Sequence, residues 1–174
     1  NDGAASGQVR VYEWDESTTD WQLKGAEILG GTTSDRAGRS ISLSYDGNIL
    51  AIGSPSNSNK GANTGRVQIY KWDGAAWQQK GSNIDGEAEN DSSGNPVALS
   101  ADGKTVAIGA IYNDGGGAAS GHVRIYAWDE TADEWAQKGE DLDGSADINY
   151  FGYATSLSAD GNLIAVGAPN HDSE

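Results

Sequence analysis

The chain has 174 residues, with 26 acidic against 11 basic and a formal net charge of −15. With no Cys it can hold no disulfide, Cys-ligated zinc or iron–sulfur cluster. No apolar run reaches the roughly 18–20 residues of a membrane-crossing helix, and so negative a field repels phosphate backbones, which excludes nucleic acid as a partner.

Six Trp and seven Tyr among 36% hydrophobic residues supply a core and exclude a disordered chain. The start at Asn1, without Met or a basic leader, is read as that of a processed or excised chain.

In chain order, the first predicted strand follows Gly7 and runs to Trp14, with Val9 and Val11 alternating against Arg10, Tyr12 and Trp14. A short loop leads to a second strand around Trp21 that ends in Leu23-Lys24-Gly25. A third alternates Ile41 and Leu43 with Ser40, Ser42 and Ser44. The Asp46-Gly47 pair predicts a type I′ hairpin turn into a fourth strand, Leu50–Gly53.

The series then repeats. QVRVYEW returns as RVQIYKW and HVRIYAW, which places Trp14, Trp72 and Trp128 at spacings of 58 and 56 residues. Asp102-Gly103 and Asp160-Gly161 repeat the turn, and Thr105–Gly109 and Ile164–Gly167 repeat the last strand. In that strand large residues alternate with Ala and Gly, a face that lets another backbone approach closely and suits the crowded axis of a radial assembly. The expected fold is all-β: three tandem four-stranded antiparallel blades of β-propeller type, residues 1–58, 59–114 and 115–174.

Phe151-Gly152, Ala159-Asp160-Gly161 and Gly167-Ala168-Pro169 together resemble the FG-GAP repeat of integrin alpha-type propellers. Ala37-Gly38 with Gly53-Ser54-Pro55, and Ser93-Gly94 with Gly109-Ala110-Ile111, stand at the same places in the other units. The resemblance implies extracellular or cell-surface adhesion. It is to the calcium-free variety, because the tight Asp-Gly turn leaves no Asp-rich loop with the six or more oxygens calcium prefers. Three blades are too few for a ring of about four to eight. Asn170-His171-Asp172 falls where Asn113-Asp114 lies and Asn1-Asp2-Gly3 resumes that loop, so an excerpt of a longer repeat protein is expected.

Candidate chemistry is sparse. His122 shares its position with Gln8 and Arg66 and reads as a strand-surface residue. Gly115-Gly116-Gly117 lacks the Lys and helix of a phosphate loop. Asp85, Glu87, Glu89 and Asp91 are the candidate ligands for weakly held calcium, the sole cofactor considered, and Asp141, Asp143 and Asp147 form a second acidic cluster. Trp21, Trp77 and Trp135, beside variable loops, are the candidate sugar-stacking residues. Asn90-Asp91-Ser92 is a glycosylation pattern at Asn90. No catalytic constellation stands out, so a non-catalytic module for adhesion, assembly or scaffolding is expected. Its alternatives are a lectin-like module and a filament subunit, with protein partners, self-association through open blade faces, or glycans.

Overall fold

The computed structural model describes residues 5–172, and among them there is no helix. The chain forms β1 (Gln8–Val9), β2 (Tyr12–Asp15), β3 (Asp20–Leu23), β4 (Ile28–Leu29), β5 (Ser40–Leu43), β6 (Ile49–Ser54), β7 (Arg66–Trp72) and β8 (Trp77–Gln79). There follow β9 (Ile84–Asp85), β10 (Val97–Leu99), β11 (Thr105–Ala110), β12 (His122–Asp129), β13 (Glu134–Gln137), β14 (Leu142–Asp143), β15 (Ala154–Leu157) and β16 (Ile164–Gly167). All these strands pair antiparallel, in open sheets. The expected all-β architecture of repeated antiparallel sheets is what the chain adopts.

Two sheets are complete. Sheet I runs β5-β6-β7-β8, and sheet II runs β10-β11-β12-β13; in each, a further short strand (β9 or β14) continues the outer position along the third strand. Two sheets are partial. The N-terminal one holds only outer strands, β1-β4 and β2-β3, and the C-terminal one only inner strands, β15-β16. Sheet and repeat are therefore offset: sheet I takes its inner pair from the unit 1–58 and its outer strands from the unit 59–114. The phase drawn from Asn1-Asp2-Gly3 lies outside the described residues.

The core sits between sheets I and II. Val67, Ile69, Val106, Ala107 and Val123 are fully buried, with Leu50 and Ile52 against the N-terminal sheet. The Ala-Gly strands do what their small side chains allow. A Cβ on Gly53 would lie 1.9 Å from the Gly94 carbonyl oxygen of the next sheet, and one on Gly109 2.6 Å from that of Gly152.

The hairpin turns differ from expectation. A type I′ turn needs positive φ at both central residues, but at Asp46-Gly47 only Gly47 has it, at φ 65°. The Gly47 N–H donates to the Ser44 carbonyl at 3.0 Å and the Ser44 N–H to that of Ile49 at 2.9 Å, which widens the loop. The reason is the Asp46 carboxylate, which accepts from the Ser44 hydroxyl at 2.6 Å and the Asn48 N–H at 3.0 Å and so needs an ordinary φ. The same bonds at Asp160 hold its carboxyl down at about 2, the Ser158 hydroxyl foremost.

Candidate functional site

Each repeat places a Lys just beyond its Trp-Gln strand: Lys24, Lys80 and Lys138. Their N–H groups donate to the carbonyls of Val11, Ile69 and Ile125 at 2.8, 2.7 and 2.8 Å, so all three backbones are fixed alike. The side chains reach the Asp-Gly turn of the next sheet. There Lys24 Nζ donates to Asn48 Oδ1 at 3.3 Å and Lys138 Nζ to Asn162 Oδ1 at 3.2 Å. Lys24 also lies 3.6 Å from Glu13 Oε1.

The middle interface breaks this pattern at both partners. Lys104 stands in the place of Asn48 and Asn162, and Lys71 in the place of Glu13. Lys80 thus meets two cations where Lys24 meets an acid and an amide. Its Nζ sits over the face of Trp128, 2.8 Å from the ring centroid, and 5.5 Å from that of Trp135. Burial lowers the amine's pKa to about 8; Lys71 and Lys104 push the same way, while Glu130 and Asp133 oppose. The indole faces favour the ammonium, while desolvation and two like charges disfavour it.

The cleft around Lys80 has a volume of about 490 Å³ and lies between sheets I and II on the side of the Asp-Gly turns. Its walls include Trp72, Trp128, Lys71, Lys104, Asp46 and Asp102. All four of its carboxylates are already engaged. Asp46 and Asp102 accept within their own turns, and Asp73 accepts from the Ala75 and Ala76 N–H groups at 2.8 Å. Glu130 binds Lys104 Nζ at 2.8 Å and the Trp128 indole N–H at 3.2 Å. Among the described residues the amines of Lys71 and Lys80 have no hydrogen bond or ion pair. The cleft offers the Trp72 and Trp128 indoles and three lysines among engaged carboxylates, and its Lys80 amine can be neutral near pH 8.

A second polar cluster lies at the opposite end of sheet II. His122 is only 2% exposed, which corrects the strand-surface reading: β11 and β14 pair with β12 on either side of it. Its Nδ1 is 3.7 Å from Asp141 Oδ2 and 3.9 Å from Glu87 Oε2 and Asp143 Oδ1. Burial lowers its pKa, against Asp141, Asp91 and Asp143. Arg124 Nη2 lies 2.9 Å from Glu87 Oε2, an ion pair whose angle does not make a hydrogen bond. Glu87, His122 and Asp141 have the spacing of metal ligands, but the guanidinium already supplies the positive charge there.

The four candidate calcium ligands take separate partners. Asp85 binds Arg66 Nε at 2.6 Å, Glu87 pairs with Arg124, and Glu89 passes over Gly61. Asp91 is buried and accepts from Asn113 Nδ2 at 2.9 Å, as Asp35 does from Asn57 at 3.0 Å. Asn90 is exposed in the β9–β10 loop and accepts from Asn63 Nδ2 at 3.3 Å. Nor do the three outer Trp share a surface. The Trp77 and Trp135 indoles donate to the carbonyls of Lys24 and Lys80, each at 2.9 Å, whereas Trp21 is 60% exposed. Sequence reasoning missed Lys71, Lys80 and Lys104. The signal was present: two lysines replace an acid and an amide beside a repeated lysine, in a chain with only 11 basic residues.

No family model matches the chain. No curated protein matches it either. Among solved structures it is similar to a protein of Bacteroides uniformis ATCC 8492 described as a "putative 6-phosphogluconolactonase", with a TM-score of 0.62 and 12% identity. The match covers 92% of this chain and 41% of that one, so the chain spans about two fifths of that protein's length. At this identity the likeness speaks for the fold.

These findings correct three expectations. The FG-GAP assignment falls, since no family model matches and the similar solved structure carries a lactonase description. Of the motif residues that suggested it, Gly53 and Gly109 stand where the backbone of the next sheet approaches closely. The non-catalytic adhesion or scaffold reading falls with it, as do its lectin-like and filament alternatives, and so does the expectation that the chain is not an enzyme, because the neighbour's description is that of one. The described residues contain no helix long and apolar enough to cross a membrane.

Proposed function

We propose that the cleft between sheets I and II binds an anionic sugar lactone and hydrolyses it, with Lys80 as the general base. The observation that carries this reading is the unpaired Lys80 amine, brought to about 8 and seated on Trp128. The description of the similar structure supplies the substrate class. Lys71 and Lys104 would hold the substrate's phosphate or carboxylate, the carboxylates of the same cleft being engaged by other donors. Trp128 and Trp72 would take the apolar face of the sugar ring.

In this scheme the neutral Lys80 amine takes a proton from water as the water oxygen bonds to the ring carbonyl carbon. The ring C–O bond then breaks, and Lys80 returns the proton to the departing alkoxide. One water is consumed and one hydroxy acid is formed. The test is acid release from 6-phosphogluconolactone near pH 8 against a protein-free control. Lys80→Met should lower the enzymatic rate by about 100-fold or more, as loss of a general base does, while Lys71→Ala should act mainly on KM. A rate equal to the control, or one unchanged by Lys80→Met, would sink the reading.

A further inference from the structure

We propose that Glu87, His122 and Asp141 form a site for a divalent transition-metal ion of the zinc type, bridging sheets I and II. Glu87 reaches it from the loop after β9 of sheet I, while His122 opens β12 and Asp141 precedes β14, both of sheet II. One ligand atom from each lies within 4.8 Å of the other two.

The imidazole is what points to an ion. It is buried, yet among the described residues its ring makes no hydrogen bond: Nδ1 is 3.7 Å from Asp141 Oδ2 and 3.9 Å from Glu87 Oε2. Ligands about 2.0–2.2 Å from one tetrahedral Zn²⁺ stand roughly 3.4 Å apart, so a small inward shift of the carboxylates would seat the ion. Burial lowers the ring's pKa, which leaves it neutral at pH 7 with a lone pair to offer. Asp141 is set for the same task. Its Oδ1 accepts from Gln137 Nε2 at 2.6 Å, and that bond leaves Oδ2 facing the imidazole.

The charge balance agrees. The Arg124 guanidinium supplies one positive charge there, against the three carboxylates of Glu87, Asp141 and Asp143 that lie within 3.9 Å of Nδ1. Its Nη2 is committed to Glu87 at 2.9 Å, so an excess of two negative charges remains, which one divalent ion offsets. At the preceding junction Gly31, Arg66 and Asn83 hold the places of Glu87, His122 and Asp141. There Arg66 meets one acid, Asp85, at 2.6 Å, and nothing is left over. The imidazole also selects the ion: Ca²⁺ and Mg²⁺ take oxygen ligands, whereas Zn²⁺ takes imidazole and carboxylate together and can fill an open position with water.

The chain has two His, so the ring signals of His122 and His171 can be followed separately by proton NMR. One equivalent of Zn²⁺ in phosphate-free buffer at pH 7 should shift or broaden those of His122 and leave those of His171 in place. The same amount of Ca²⁺ should move neither. Calorimetry should return one Zn²⁺ per chain. His122→Gln and Asp141→Asn introduce the residue types that Gln8 and Asn83 carry at those places in other units, and each should weaken binding by about tenfold or more. No binding, a response confined to His171, an equal response to Ca²⁺, or an affinity unchanged by His122→Gln overturns the proposal. None of these readouts involves hydrolysis, so the ion site and the proposed activity fail separately.

Discussion

Gly53→Ala should destabilise the chain by about 3 kcal/mol, at the upper end of overpacking effects. The new methyl would meet backbone, the Gly94 carbonyl at 1.9 Å, and backbone of a neighbouring sheet yields only by moving the sheet. Gly167→Ala occupies the same repeat position and serves as the control. Its Cβ would lie 3.6 Å from that of Ala154, an ordinary contact, so its effect should stay within about 0.5 kcal/mol. Urea unfolding followed by Trp fluorescence distinguishes them. Equal midpoints would mean that close approach of the two sheets does not determine the glycine.

The double variant Lys71→Glu/Lys104→Asn should abolish hydrolysis near pH 8 while the chain stays folded. It gives the second interface the residues of the first, where Lys24 faces Glu13 and Asn48. With an acid and an amide in place of two cations, the Lys80 pKa rises, while burial, the largest cause of its lowering, remains, so more of the amine is protonated at working pH. Stability follows the same titration. In the parent the folded chain holds Lys80 at about 8 and the unfolded chain at 10.5, so between those values the unfolded state binds more protons. Stability from this group therefore rises with pH across that window, and below it the cost of burying an ammonium is present in full. The double variant should show a smaller rise, because burial still lowers the amine's pKa. Unfolding free energies at pH values either side of the window, compared with those of Lys80→Met, measure it; an unchanged slope would show that the two lysines do not set the amine's protonation.

Much of this architecture can be read from residue order. Period-two alternation in Val9–Trp14 and Ile41–Leu43, and the Asp-Gly turns, place strands where they form. The offset between unit and sheet is less accessible, because a hairpin signal shows which strands are consecutive and not which sheet a strand joins across a long connection. Turn chemistry was partly hidden for a related reason. Asp-Gly suggests a mirror-image turn, and the Ser44 hydroxyl that captures Asp46 lies outside that pair. The site was the hardest to see. Lys71 and Lys104 are 33 positions apart in sequence and meet at Lys80 only because adjacent sheets face each other. Recurrence drew the reading to positions that agree, and the candidate chemistry lies where they differ.

Since each sheet borrows strands from two consecutive units, the seam between units falls in a connection, and the β6–β7 and β11–β12 ladders tie each unit to the next. A gene encoding such a protein could gain or lose a period by unequal recombination at any point in the unit and still encode strands that find their partners. Length would then change in whole modules, while a single divergent junction, such as that of Lys80, could acquire chemistry with its neighbours left undisturbed.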